Sequence, residues 1–98
     1  MKLVGAWIVD ETDARALADL GNVLLEFGEG DGLVYTIRGQ DKDQIILLRY
    51  QVEGSTIVTD QPSAPGIERT QFSFAEDDVL ALAFGGVPYR FVRVRHLA

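Results

Sequence analysis

"LVGAWIVDETD", residues 3–13, sets a strand-like run almost at the first residue and ends it in a cluster of acids. Leu3, Val4, Ile8 and Val9 suit a pleated, half-buried surface. A glycine inside such a run weakens it, and marks a place where something comes close to the backbone. Trp7 is the only tryptophan in the chain and stands two residues after Gly5. The Gly5-Ala6-Trp7 step therefore asks for an explanation at the level of the fold.

The chain of 98 residues fits one domain spanning 1–98, and at that size it buries roughly 60–65% of the surface it exposes unfolded. Hydrophobic residues make up 47% and charged residues 24%, the balance of a folded chain. A net charge of −6 argues against nucleic acid, which requires a basic surface. With no cysteine and the single histidine His96, thiolate chemistry and His-cluster metal sites are excluded. No metal and no cofactor is expected. Met1-Lys2 leads straight into the first strand, so neither a leader nor a membrane partner is expected and a cytoplasmic location is the default.

Short runs rich in Val, Ile, Leu, Phe, Tyr and Thr recur about every ten residues, divided by Gly, Asp, Asn, Ser and Pro clusters. Strands are expected at about 3–10, 22–28, 32–39, 44–53, 55–60, 68–75, 79–84 and 89–95. Most of the breaks are short enough for hairpins, so sequential strands should pair antiparallel. The fold class is thus all-β: an antiparallel up-and-down barrel of about eight strands.

"ETDARALADL", residues 11–20, departs from this pattern, with good helix formers behind Thr12 or Asp13 as N-cap. A short helical turn after the first strand is expected, docking through Leu17 and Leu20 as a plug or a gate at one end. Val23, Leu25 and Phe27 alternate with Asn22, Leu24 and Glu26, and Thr70, Phe72 and Phe74 alternate with Arg69, Gln71 and Ser73. "QIILLRY" and "VLALAF" are apolar on both faces, so a homodimer through these strands is one expectation.

A first-strand Gly-x-Trp, a helical turn and a meander of about seven further strands resemble the lipocalins and the wider calycin group. The resemblance spans the whole chain and implies a lipocalin-like barrel closed at one end by Trp7. It also implies an arginine from the last strand laid across the indole. "YRFVRVRHL" offers Arg90, Arg93 and Arg95, with Arg93 favoured and Arg90 next. A planar guanidinium stacks well on indole and brings five donors to nearby carbonyls. Gly5, Trp7, Arg93 and Arg90 are therefore the barrel-closure residues. The chain is shorter than secreted lipocalins and lacks their disulfides and their long helix before the final strand. The resemblance accordingly speaks for topology more than for a roomy cavity.

The acids Asp10, Glu11, Asp13, Glu29, Asp31, Asp41, Asp43, Glu76, Asp77 and Asp78 all fall in expected turns, where Asp bonds its own backbone. No calcium loop, phosphate loop or nucleophile triad is present, so no catalytic residue is assigned. Tyr35, Arg49, Thr70, Phe72 and Tyr89 are the polar or aromatic candidates for a barrel interior. Two readings stand for them: ordinary packing, or a pocket for a small apolar or amphipathic molecule whose carboxylate meets Arg49. "QPSAPG", residues 61–66, stiffened by Pro62 and Pro65, is either a rim loop or a plain connection. The function expected is non-catalytic binding in the barrel. The alternatives are an interaction module with a filled barrel acting as a homodimer and, more weakly, an enzyme that has taken over the cavity.

Overall fold

A computed structural model describes residues 2–94. In chain order it holds β1 (Gly5–Val9), α1 (Ala14–Leu20), β2 (Val23–Phe27), β3 (Gly32–Ile37) and β4 (Gln44–Glu53). These are followed by β5 (Thr56–Asp60), β6 (Ile67–Glu76), β7 (Val79–Phe84) and β8 (Val87–Arg93). Each strand pairs antiparallel with the next and β8 pairs with β1, so the sheet closes into an eight-stranded up-and-down barrel without a free edge. One short helix follows the first strand, as the sequence indicates.

Alternation sorts the side chains. Trp7 and Val9 of β1, Val23, Leu25 and Phe27 of β2, and Leu80 and Leu82 of β7 are buried in one core with Phe91 of β8. Trp7, Leu80 and Phe91 are at 0% exposure, and each large apolar side chain so placed contributes about 1.5–3 kcal/mol. At the end of β6, Phe74 faces Leu80 and Glu76 faces Val79, a bulge that leaves Ala75 without an opposite residue. The bulge flips the parity, so Glu76 points to solvent where strict alternation from Phe74 would turn it inward.

Strand ends differ from the sequence reading where the backbone has another task. The first strand starts at Gly5 instead of residue 3, because Leu3 leaves the ladder and packs into the core at 1% exposure. The last strand starts at Val87, earlier than expected, because Gly85 and Gly86 alone make the turn with φ +58° and +82°. Two successive left-handed residues are what a two-residue type I′ hairpin requires. Pro88, read from sequence as part of the break, is the second residue of that strand and faces outward opposite Ala83. Arg95 and His96 lie outside the described residues.

Two expectations about faces are corrected. Arg49, taken as an interior candidate with Ile45 and Leu47, lies on the outer face; Ile46, Leu48, Tyr50 and Val52 are the inward residues of β4. The register shows why: Leu48 lies opposite Leu33, whose side chain is buried, while Arg49 lies opposite Asp60 and forms an exposed ion pair with Asp31 at 3.6 Å. In α1, Ala16 and Leu20 are the residues packed on the barrel, and Leu17 is 39% exposed. The i,i+4 pair faces the core here, so the i,i+3 pair of Leu17 and Leu20 does not.

Candidate functional site

The antiparallel meander gives the barrel two unlike ends. Residues 2–4 and the β2–β3, β4–β5 and β6–β7 turns gather at one. At the other lie α1, the 38–43 and 61–66 loops, and the Gly85-Gly86 turn.

The first end is closed by the opening motif. Trp7 sits beside Arg93 in the register, and the Arg93 guanidinium lies over the indole ring, 4.2 Å from its centroid. Its nitrogens donate to the Val4 carbonyl at 3.0 Å, to the Lys2 carbonyl and to the Asp78 carboxylate at 3.0 Å. The indole Nε1 donates to the Leu3 carbonyl at 2.9 Å. Gly5 holds φ +128°, and a Cβ there would stand 2.7 Å from Arg93 Nη1. A side chain at position 5 would thus both strain the backbone and displace the guanidinium. Arg93 is the arginine that covers Trp7. Arg90 instead points outward, its Nε 3.4 Å from the Asp10 carboxylate.

The helix is tied across the opposite end by acids. Asp13 is the N-cap of α1, accepting from the Ala16 amide at 3.1 Å, and it also accepts from the Arg90 amide of β8 at 3.0 Å. Asp10, 9% exposed, accepts from the backbone and hydroxyl of Thr12 at 2.9 and 2.8 Å. Asp19 accepts from the Tyr89 hydroxyl at 2.8 Å. Asp13 is thus the N-cap, one of the two residues the sequence offered for it. Its further bond to β8 and that of Asp10, both read from sequence as solvated turn residues, join them to a strand far away in sequence. Hydrogen bonds from Thr12 hold the Asp10 carboxyl below its ordinary value near 3.8, and those from Arg90 and Ala16 do the same for Asp13. Depressed folded values mean a contribution that is complete above the unfolded value and lost as pH falls through the folded one. Asp13→Asn should therefore be less stable than wild type at pH 7, with the gap narrowing below pH 3.8, as urea titrations across the acid range would read.

Between the tethered helix and the 61–66 loop the barrel opens. A basin of about 340 Å³ is walled by Leu20, Ile37, Ile46, Leu48 and Phe84, with Tyr35, Gln61 and Glu68 as its polar members. Below it, a cavity of about 80 Å³ continues between Leu25, Ile57 and Leu82, with Thr59 and Thr70 on its wall. Tyr35, Leu48, Glu68 and Phe84 border both spaces. The interior is thus nearly filled by its own side chains, with the remaining space at the open end. A larger depression of about 690 Å³ lies outside the closed end, against Val4, the β2–β3 turn and β4.

Of the residues singled out from sequence, Tyr35 and Thr70 border this space. Phe72 packs edge-on to Phe74 at 5.8 Å on the core side, and Tyr89 is buried with its hydroxyl engaged by Asp19. Arg49 is on the outer wall. The Tyr35 hydroxyl has no hydrogen-bond partner among the described residues, and burial pushes its pKa up. Tyr50, which sequence reading passed over, donates to the Gly28 carbonyl and meets Phe27 edge-on at 5.1 Å. Glu68 was also missed, although it shares parity with Thr70 and Phe72 and lies opposite Thr59. Among the described residues no group of His, Cys, Asp and Glu is arranged to hold a metal ion, and no helix is long and apolar enough to cross a membrane. Comparison with protein-family models, with curated proteins and with solved structures finds no match to this chain.

Proposed function

We infer that this lipocalin-like barrel binds a small amphipathic molecule, without catalysis, at its open end. The observation that carries this is the apolar basin of about 340 Å³ that runs into the barrel interior past Tyr35, Leu48, Glu68 and Phe84. Binding pockets for small molecules are concave, mostly apolar and about 300–1,000 Å³, with a few convergent polar groups. The inner cavity of about 80 Å³ admits only the end of a chain, so the ligand sits in the mouth with a short tail inside. Native mass spectrometry of protein from its own host tests this. A stoichiometric small molecule, lost on unfolding, is the expected result; consistently bare protein would count against it.

A second function, self-association, is favoured by the outer wall. Val79, Val92, Ile8, Leu24, Thr36 and Ile45 stand side by side across the register of six strands. Within this band Thr36 is already buried, while Ile45 at its end and Leu47 next to it on the same face of β4 are 61% and 64% exposed. A second copy of the chain is the occupant that would cover them, giving a homodimer centred on β4. Sedimentation at high micromolar concentration should then show a dimer that Leu47→Glu converts to monomer. A wild-type monomer at that concentration removes this second function and leaves the first untouched.

A further inference from the structure

The lining of the open end lacks the cation that a carboxylate ligand needs, although Arg15, Arg38 and Lys42 stand exposed on α1 and the 38–43 loop around it. No Lys or Arg borders the basin or the cavity among the described residues, and Glu68 is the one charged side chain that does. The cations with assigned partners are engaged elsewhere. Arg93 and Lys2 are at the closed end, and Arg49, Arg69 and Arg90 pair with Asp31, Glu53 and Asp10 on the outer wall. Glu68 stands where basin and cavity meet, opposite Thr59. By parity with Thr70 and Phe72, Glu68 stands on the inward-facing side of β6, exposed at its rim, whereas Arg69 and Gln71 face the outer wall.

We propose that the open end selects a cationic amphiphile, with a primary or quaternary ammonium group at Glu68 and an alkyl or aryl tail between Leu48 and Phe84. This rests on the binding reading above and names its ligand class. An ammonium head placed there meets the carboxylate and also the rings of Tyr35 and Phe84, whose faces attract cations. For a primary ammonium, the Tyr35 hydroxyl, without a hydrogen-bond partner among the described residues, and the Gln61 amide oxygen are placed to accept its remaining protons, whereas a quaternary head relies on the carboxylate and the rings alone. A carboxylate head would meet Glu68 as a like charge, with no Lys or Arg among the residues lining the pocket. Because Glu68 is exposed, its selectivity is modest, about twofold to fivefold.

Three probes with one tail separate the possibilities: octylammonium, octanol and octanoate, each kept below micelle formation and followed by NMR titration. Octylammonium is expected to bind about threefold more tightly than octanol, with octanoate weakest. Glu68→Gln should erase the margin between amine and alcohol while octanol affinity stays the same. Glu26→Gln changes net charge equally from the outer face of β2 and should preserve that margin. Equal affinities for amine and alcohol in the wild type overturn the cationic preference alone, as does a margin that survives Glu68→Gln or disappears in Glu26→Gln. Absence of saturable binding for all three probes overturns the pocket as well.

Discussion

Trp7→Ala and Arg93→Ala should each destabilise the barrel, and the double variant should lose less than the two losses added together. Trp7 is completely buried, and truncating such a side chain costs about 3–5 kcal/mol through lost transfer energy and the cavity left behind. Arg93 is worth about 2 kcal/mol: its guanidinium stacks on the indole and ties down the carbonyls of Lys2 and Val4. A domain of this size has only about 5–15 kcal/mol in total, so Trp7→Ala removes a large share of it. The two residues share one contact, hence a coupling of about 1 kcal/mol or more is expected from a double-mutant cycle in urea. Arg93→Lys keeps the charge but not the fork, and should recover little. Gly5→Ala tests the same closure from the backbone side, since its Cβ meets Arg93 Nη1 at 2.7 Å. Strictly additive losses would mean that indole and guanidinium act independently.

The second large effect concerns binding. Thr70 borders the inner cavity of about 80 Å³ and stands opposite Ile57, whose side chain is 2% exposed. Thr70→Phe should fill that cavity and weaken octanol binding at least tenfold, the equivalent of about 1.4 kcal/mol. Filling an existing void need not destabilise the fold, so the melting temperature should hold or rise. Thr70→Leu adds less volume and guards against overpacking of the larger ring. Octanol affinity unchanged in both variants would remove the tail from the barrel interior. Leu82→Ala works in the opposite direction, enlarging the cavity at a cost of about 2–5 kcal/mol.

Topology was legible because period-two alternation in β2 and β6 and hairpin-length breaks leave few other arrangements. The Gly5-Trp7 step and the arginines of the final strand pointed to closure; parity together with the observed register selects Arg93. The face of β4 was misjudged from its first residues, where Ile45, Ile46, Leu47 and Leu48 are all apolar. Read to Glu53, the same strand is unambiguous: Tyr50 and Val52 continue the apolar face, while Arg49, Gln51 and Glu53 continue the wet one. The parity of Glu68 with Thr70 was equally visible. Capping of α1 by Asp13 was one of the two readings the sequence offered; the bonds of Asp10, Asp13 and Asp19 to β8 were not legible, because they form only when the barrel closes. Nor does alternation give the free volume, which depends on how side chains interdigitate.

The central claim is that the barrel is shut at Trp7 and receives a ligand at the opposite end. An octanol titration followed by methyl and aromatic NMR tests it most directly. Saturable shifts should fall on Leu48, Leu82, Tyr35 and Phe84, while the Trp7 indole and the outer Ile45 and Leu47 methyls stay in place. Shifts confined to Ile45 and Leu47, or no saturable shift at the open end, would contradict it.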